Sequence, residues 1–565
     1  MTTISPDPFP TDGLRSLSPR EVMQRVAALA CTLPMDNAPT CTGQVNASIF
    51  FDGTGNNRKV DYEGIPADEQ TKAMKSGDLP RMPESFTSEK RKHSNVVRLF
   101  HAHKDDRANG FYRHYIPGVG TPFGEIGDEG GVLGSAAAAG GEARILWGFV
   151  KLLNSPYDYV CKGDLISDAQ AKAIVEKLSS FWSPHWQRRN ELRYWQDKLK
   201  AALRGKKPEI TQINLSVFGF SRGAAQARTF TNWLFEVCEQ KDGGWLFAGI
   251  PIRLHFLGIF DTVASVGLAD LSSNGIVEGH QGWADHTMEI HPAIEQCVHY
   301  VAGHEVRACF PLDSVRVRET YPANAKEVMY PGAHSDVGGG YAPGALGISP
   351  APNDFMSTIP AVRMYWEAYR AGVALRNWDA LDEEEKSDLT PSPEVISAFN
   401  DYVQAAAIGD GPVEEMHARH MGLYFSYRFK YRLNYQSRPW YVRASGTDRG
   451  YLEKTSRTIL LRLAELRYTQ SPADPTYDPQ QALAYHEAVT KAAGIDNVDR
   501  HSVKFQQLRK VVESIETAKL SPPVERLFDD YVHDSMAGFI DMGMNEYLAN
   551  GMGIMKLRKT FDRNG

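Results

Sequence analysis

The chain has 565 residues, 42% of them hydrophobic, and carries a formal net charge of −7 with a pI of about 6.2. This length supports one large hydrophobic core or two, and the mildly acidic balance argues against nonspecific binding of nucleic acid. No apolar run reaches the roughly 18 residues of a membrane-spanning helix, and the six cysteines form no C-x-x-C pair, which argues against a zinc site and a disulfide framework.

The first part of the chain combines a leader with an early strand. Residues 1–44 are interpreted as a leader with a Pro-rich start and one short helix around Pro19–Leu33. Its start has no basic stretch and no apolar segment, so we predict no signal peptide. The first strand, Ala47–Phe51, runs into the turn Asp52-Gly53-Thr54. A glycine at a strand end lets backbone approach a substrate closely, although an ordinary turn explains these residues equally well.

The next part of the pattern predicts a long polar loop, a strand, a helix and a helical insertion. The loop covers 58–93, the strand Phe111–Ile116, the helix Ala143–Leu153 and the insertion 154–205. Aromatic residues of the insertion are interleaved with arginine and lysine; they are Phe181, Trp182, Trp186, Tyr194 and Trp195. That mixture suits a lipid headgroup interface or a lid. We favour packing of these aromatics in the core, with the basic residues in solvent.

The most informative stretch is a Gly-x-Ser-x-Gly pattern, Gly219-Phe220-Ser221-Arg222-Gly223. The apolar run Ile213–Phe218 leads into it, and an alanine-rich segment with helical periodicity follows. Strand, tight turn and helix are the context of a nucleophile elbow. A side chain at either glycine is expected to clash with the neighbouring strand or helix. The pattern predicts acyl transfer through Ser221, with the backbone N–H of Arg222 in the oxyanion hole.

A serine nucleophile of this type needs an acid and then a histidine further along the chain, each after a strand. Asp261 directly ends the strand-like run Arg253–Phe260, and His334 lies in the glycine-rich loop after the run Glu327–Tyr330. These positions predict Asp261 as the acid and His334 as the base. A second oxyanion donor is expected from the turn after the first strand, at Gly53 or Thr54.

Other assignments remain open at this point. Asp270 and Asp285 follow Asp261 in the chain, and either could be the acid if the end of the strand-like run Arg253–Phe260 is placed wrongly. Asp336 is expected to order its own loop through side-chain bonds to backbone. His533 is the second candidate base, but it lies in a segment with a helical pattern, where a structural histidine is the better interpretation.

The remainder of the chain, 351–565, is predicted to be mostly helical, with examples at Val362–Ala371, Leu452–Tyr468 and Val503–Ile515. The aromatic stretch Leu423–Tyr431 alternates like a strand, and a lipid-binding surface is the alternative interpretation. We favour packing of this stretch on the core. We predict no metal and no cofactor. The run beginning at Asp270 resembles the start of a calcium loop but has Gln281 in place of the bidentate glutamate.

Five segments in chain order resemble a known family. They are Phe51-Asp52-Gly53-Thr54, Ser94–Leu99, Gly219–Ala224, Phe260–Ser265 and His334–Gly339. The set is similar to the phospholipase effectors of bacterial type VI secretion, in their first lipase-effector family. The resemblance covers roughly 45–345.

This resemblance implies a fold, an activity and partners. It implies that Ser221, Asp261 and His334 are nucleophile, acid and base of a phospholipase that cleaves membrane glycerophospholipids at the sn-1 or sn-2 ester. It further implies a type VI spike protein as carrier, a cognate immunity protein, and action in the periplasm of rival bacteria.

The working hypothesis is an α/β fold with an α/β-hydrolase-like core sheet over 45–350, the helical insertion, and the helical C-terminal region packed on the core. A soluble serine esterase or thioesterase is one alternative function. A non-catalytic interaction module that keeps the hydrolase fold is another.

Overall fold

The computed structural model describes most of the chain. The described residues are 2–12, 17–30, 41–76, 80, 87, 90–131, 138–179, 185–264, 282–284, 286–307, 310–349, 351, 353–469, 510–511, 513–538, 558 and 560–561.

A mostly parallel sheet forms the centre of the fold. Its strands are β1 (Thr42–Phe51), β2 (Phe111–Ile116), β3 (Glu209–Phe220), β4 (Glu239–Lys241), β5 (Gly244–Phe247), β6 (Ile250–Phe260), β7 (Cys297–Ala302) and β9 (Ala325–Tyr330). The parallel order is β2-β1-β3-β6-β7-β9, and the β4–β5 hairpin adds antiparallel to the first residues of β6. All parallel strands end at one edge, so the residues that follow β1, β3, β6 and β9 meet there.

Helices account for most of the remaining described residues. In chain order they are α1 (Pro19–Ala30), α2 (Arg58–Asp61), α3 (Ala67–Ser76), α4 (Asn95–Ala102), α5 (Ala138–Cys161), α6 (Asp168–Leu178), α7 (His185–Leu203), α8 (Arg222–Val237), α9 (His334–Gly338), α10 (Thr358–Arg370), α11 (Glu383–Leu389), α12 (Pro393–Ala406), α13 (Val413–Lys430), α14 (Pro439–Arg443), α15 (Gly446–Thr469) and α16 (Pro522–Asp530). A two-residue strand β10 (Thr560–Phe561) pairs in parallel with β8 (Leu312–Asp313).

The sheet is buried on both faces because successive side chains of a strand point to opposite sides. On one face, Phe50 and Phe218 pack with α4 and α10 in a core that also takes in residues of α12, α13 and α16. On the other face, Phe51 and Val217 pack with α5 and α8. The C-terminal helices therefore share a core with one face of the sheet, while the boundary at 350 stays a prediction.

The structure agrees with most of the predicted elements. β1, β2, β3, β6 and β9 cover the five predicted strands, and α8 follows β3 as an elbow requires. The mostly parallel sheet with helices on both sides confirms an α/β fold compatible with an α/β-hydrolase-like core. The predicted helix Val503–Ile515 lies largely outside the described residues.

Three local predictions were wrong. Segment 58–93 contains helices α2 and α3 and is not simply a loop. Leu423–Tyr431 lies almost wholly in helix α13 and not in a strand, although its aromatic side chains do pack in the core as expected. His334 begins the short helix α9 where a loop was expected. Among the described residues, no helix has the length and apolar character needed to cross a bilayer.

Candidate active site

Ser221 lies at a sharp turn between β3 and α8. Its backbone has φ 58° and ψ −125°, a conformation that is strained for a residue with a side chain. The two flanking glycines allow this turn. A Cβ on Gly219 would lie 2.5 Å from the Gly223 carbonyl oxygen, and one on Gly223 would lie 2.4 Å from the carbonyl oxygens of Phe51 and Asp52. The clashes predicted at both glycines are confirmed.

The same close packing brings the turn after β1 to the N-terminus of α8. Arg222 is the first residue of α8, so its N–H lies at the positive end of that helix. In the turn, Gly53 N–H donates to Asp52 Oδ1 at 2.8 Å. Thr54 Oγ1 is buried and has no hydrogen-bond partner among the described residues. Of the two predicted N–H donors in this turn, that of Gly53 is already bonded to the Asp52 carboxylate.

Asp261 and His334 contact each other directly. Asp261 follows β6 and is fully buried, and His334 begins α9 with 4% of its surface exposed. His334 Nδ1 donates to Asp261 Oδ2 at 2.5 Å. With Nδ1 carrying the proton, Nε2 of the neutral ring is the acceptor nitrogen. This is the tautomer that a general base beside a serine requires.

The ring of Phe220 connects the nucleophile to the base. Phe220 precedes Ser221 in the chain, and its ring lies 4.6 Å from that of His334 between centroids. A Cβ on Gly338 or on Gly53 would meet the same ring, at 2.0 Å and 2.5 Å. The turn after β1, the serine turn and α9 therefore converge on one aromatic side chain.

Main-chain bonds also join the serine turn to the acid. Ser221 N–H donates to the Phe260 carbonyl at 3.0 Å, and Val263 N–H donates to the Ser221 carbonyl at 3.3 Å. Because Phe260 and Val263 flank the acid, the three predicted residues Ser221, Asp261 and His334 lie in one neighbourhood at the carboxyl edge of the sheet.

Charged groups surround the acid and the base. Burial acts to raise the pKa of Asp261, but the nearby Arg558 guanidinium and His334 outweigh it and hold that pKa well below its usual range. Burial lowers the pKa of His334, and its bond to Asp261 opposes this. Glu305 Oε2 accepts from His334 N–H at 3.1 Å, and Arg307 overcomes burial to lower the Glu305 pKa to about 2. The carboxylates stay ionised and the imidazole stays neutral at neutral pH.

A different arrangement holds the turn after β1. The carboxylate of Asp52 accepts from Ser94 Oγ and Tyr115 OH, each at 2.6 Å, and from Gly53 N–H. Burial outweighs these bonds and raises the Asp52 pKa to about 6. The neighbouring Asn95 Nδ2 donates to the Val337 carbonyl at 2.8 Å and so ties α4 to α9. The segment Ser94–Leu99 thus links the predicted oxyanion turn to the base.

A buried histidine that sequence reasoning missed supports the loop after the acid. His299 Nε2 accepts from Thr262 N–H at 3.1 Å, and His299 Nδ1 donates to Glu327 Oε2 at 3.0 Å. Glu327 also accepts from Ser314 Oγ and from Thr3 Oγ1. Glu327 lies in a predicted strand, but no sequence pattern marked His299. The residues that these two side chains bond to are far away along the chain.

The competing assignments have defined places or lie outside the described residues. Asp270, Asp285 and the calcium-like run to Gln281 lie outside them. Asp336 accepts from Ala333 N–H at 2.9 Å, as predicted for a residue that orders its own segment. His533 Nδ1 pairs with Asp336 Oδ1 at 2.6 Å and its ring stacks on Tyr341. His533 follows α16 and is not helical, in contrast to the expected pattern.

The aromatic residues of the insertion do not all pack in the core. Trp186 and Tyr194 on α7 are 59% and 50% exposed, which contradicts the core packing that we favoured for them. Phe181 and Trp182 lie outside the described residues. The lid role of this insertion stays a prediction. In the described part of the chain, no cluster of three or more His, Cys, Asp or Glu residues has the arrangement of a metal site.

Comparison with known proteins bears on this site. Residues 238–367 match the family model described as T6SS, Phospholipase effector Tle1-like, catalytic domain. The resemblance to type VI secretion phospholipase effectors is thereby confirmed, over a segment that contains Asp261 and His334. The matching model describes the catalytic domain of a phospholipase effector of type VI secretion, and the chain is similar to it over this stretch.

Two solved structures are similar to the chain. An uncharacterized protein from Pseudomonas aeruginosa is 25% identical with a TM-score of 0.76, covering 99% of this chain and 85% of that one. The Tle1 effector bound to the VgrG spike from the Type 6 secretion system is 20% identical with a TM-score of 0.28, covering 55% of each chain. No curated protein gives a significant match.

Proposed function

We propose that the chain is a serine phospholipase, of A1 or A2 type, that acts as an antibacterial type VI secretion effector. The observation that carries the proposal is the bond between His334 Nδ1 and Asp261 Oδ2 beside a strained serine turn. A buried serine in such a turn, a histidine in the required tautomer and an ionised carboxylate are the parts of a Ser-His-Asp triad. The description of the matching family model, a phospholipase effector, supports the proposed substrate class.

The proposed reaction has two halves. Ser221 Oγ attacks the carbonyl carbon of a fatty-acyl ester while His334 Nε2 takes the hydroxyl proton. The tetrahedral intermediate collapses, the ester C–O bond breaks, and His334 returns the proton to the leaving lysophospholipid alcohol. Water then attacks the acyl-enzyme by the same route and releases the fatty acid. Asp261 holds the imidazole in its tautomer and stabilises the imidazolium.

The oxyanion would be stabilised by N–H groups at the start of α8 and in the turn after β1. Arg222 N–H supplies the first donor, and we prefer Thr54 N–H over Gly53 N–H for the second because Gly53 N–H already donates to Asp52. Such a donor typically lowers the barrier by about 3 kcal/mol.

The test is release of fatty acid from phospholipid vesicles labelled at sn-1 or at sn-2. We expect release by the wild type and a loss of at least about 10⁴-fold in Ser221→Ala, because the nucleophile is gone. Ser216→Ala is the matched control, since Ser216 is a buried serine of the same strand whose hydroxyl pairs with Ser48. The labelled position that is released also decides between A1 and A2.

Other outcomes would replace this proposal. Turnover of short-chain esters without release from vesicles would identify a soluble esterase or thioesterase. Absence of both activities, together with no Ser221-dependent labelling by a fluorophosphonate, would identify a non-catalytic interaction module.

The same proposal includes delivery. A spike protein as carrier, an immunity protein in the producing cell and action in the target periplasm are all proposed from the type VI effector description of the matching family. Killing of rival cells that requires both the secretion system and Ser221 would support it, and killing that is independent of Ser221 would contradict it.

A further inference from the structure

Arg558 makes a two-pronged ion pair with the predicted acid. Its Nη1 donates to Asp261 Oδ1 at 2.7 Å and its Nη2 donates to Asp261 Oδ2 at 2.8 Å. Both side chains are almost completely excluded from solvent, with 1% and 0% exposed. Paired donors of this kind fix the plane of a carboxylate as well as its charge.

The strand that follows Arg558 holds it in place. β10 pairs with β8, and Ser314 N–H donates to the Phe561 carbonyl at 2.9 Å. β8 is itself attached to the acid loop, because Asp313 N–H donates to the Thr262 carbonyl and Asp313 Oδ2 accepts from Ala264 N–H, both at 3.0 Å. The segment that carries Arg558 and the loop that follows Asp261 are therefore both hydrogen-bonded to the short strand β8.

Each oxygen of the Asp261 carboxylate accepts two hydrogen bonds. Oδ1 accepts from Ala302 N–H at 2.9 Å and from Arg558, and Oδ2 accepts from His334 and from Arg558. Without the guanidinium, a single N–H and the imidazole would have to set its orientation. A bidentate pair excludes rotation of the carboxylate away from His334.

We propose that Arg558 is a positioning residue of the ester-hydrolase site, which orients Asp261 and moderates its charge as felt by His334. The inference rests on the proposed function of the Ser221 site. The guanidinium is not placed against substrate and acts only through the carboxylate.

The electrostatic part of this role follows from the groups around His334. A positive charge held against Asp261 weakens the stabilisation that the carboxylate gives to the imidazolium, and so favours the neutral base. The other ionisable or charged groups nearby, from the elements packed around the pair, are Glu305, Arg307, Asp336, His417 and His533. Of these, Arg307 is paired with Glu305, and none of them contacts the Asp261 carboxylate in an ion pair among the described residues.

The experiment compares Arg558→Gln and Arg558→Lys with the wild type on a soluble short-chain ester over a range of pH. For Arg558→Gln we expect kcat to fall about tenfold or more with KM nearly unchanged, because Asp261 and therefore His334 are oriented less precisely while substrate binding is untouched. The acid limb of the pH–rate profile should shift to higher pH. Arg558→Lys keeps the charge but not the fork, so the acid limb should stay near that of the wild type while kcat falls.

Arg438→Gln is the control for losing a bidentate arginine. Arg438 pairs with Asp529 through Nε at 3.0 Å and through Nη2, in the C-terminal helical region. We expect it to change the melting temperature without moving the acid limb. If Arg558→Gln does not fold, the comparison is made with Arg558→Lys alone, which must then lose kcat for the proposal to stand.

A second readout separates this proposal from the proposed function. The proton shared by His334 Nδ1 and Asp261 should give a far-downfield NMR signal, and its titration should move to higher pH in Arg558→Gln. Movement of that signal in a protein without ester activity would reject the proposed function, and would show only that Arg558 controls the Asp261–His334 pair. An active enzyme in which Arg558→Gln leaves kcat, the acid limb and the signal unchanged would overturn the positioning role.

Discussion

The two ends of the candidate site are built differently. The nucleophile end is made of backbone: Ser221 stands in a strained turn that fits because Gly219 and Gly223 leave room for neighbouring carbonyls. The acid–base end is made of charged side chains from segments far apart in the chain, with Arg558 and Glu305 contacting Asp261 and His334. Close packing of backbone sets the shape of one end, and paired charges on side chains set the electrostatics of the other.

The two ends also differ in the groups that bind their buried carboxylates and in the pKa values that result. Asp52, beside the nucleophile turn, is held by neutral hydroxyl and N–H donors, and burial raises its pKa to about 6. Asp261 and Glu305 each have an arginine, and their pKa values lie below the usual range despite burial. Neutral donors satisfy a carboxylate without offsetting the cost of burying its charge.

The largest expected effect is at the acid. Asp261→Asn should lower kcat by about 10³–10⁴-fold on the same ester, because the imidazole loses its tautomer and its counter-charge. It should also lower the free energy of unfolding by about 3–5 kcal/mol, since Arg558 would be left buried without its partner. Denaturant unfolding and ester kinetics on one preparation measure both. A double variant with Arg558→Gln that is as unstable as the two single losses added together would contradict the pairing.

A smaller effect is expected at the backbone end. Gly223→Ala places a methyl group 2.4 Å from two main-chain carbonyls that cannot move independently, so the free energy of unfolding should fall by about 2–4 kcal/mol. Gly450→Ala is the control, because a Cβ there meets nothing within 4 Å. Urea unfolding measures both, and equal stability of the two variants would show that the elbow is not tightly packed.

The smallest expected effect is on the pH dependence of the free energy of unfolding, which should have opposite signs for carboxylates at the two ends. The folded-state pKa of Asp52 lies above its ordinary value of 3.8, so its contribution to stability is present below about pH 4 and is lost as pH rises through about 6. Asp52→Asn should remove that loss, on the order of 2–3 kcal/mol. Unfolding free energies at pH 4 to 7 measure it.

Glu305 gives the opposite sign. Its folded-state pKa of about 2 lies below the ordinary 4.5, so its contribution is present above about pH 4.5 and is lost as pH falls toward 2. Glu305→Gln should flatten the acid side of the stability curve, whereas Asp52→Asn flattens the side between pH 4 and 6. Two variants with the same pH dependence would refute the contrast between the ends.

The nucleophile end of the site could be predicted from the sequence more fully than the acid–base end. The elbow, the strands around it and the positions of Asp261 and His334 after strands could be predicted, because each depends on a few adjacent residues. The helix over Leu423–Lys430 was missed, since its alternating aromatics are buried by neighbouring helices and not by a sheet. The partners of the charged end could not be predicted, because Arg558 lies 297 residues beyond Asp261 and no local pattern marks it.

That separation along the chain has a consequence in time. The serine turn draws on β1, β3, α8 and the main chain of Phe260 and Val263, all of which precede residue 264, so it can form early in synthesis. The acid receives its arginine only after residue 558 has been made and β10 has joined β8. A nascent chain that has not yet reached residue 558 therefore carries an unfinished acid–base pair, and hydrolytic activity should appear later than the folded serine turn.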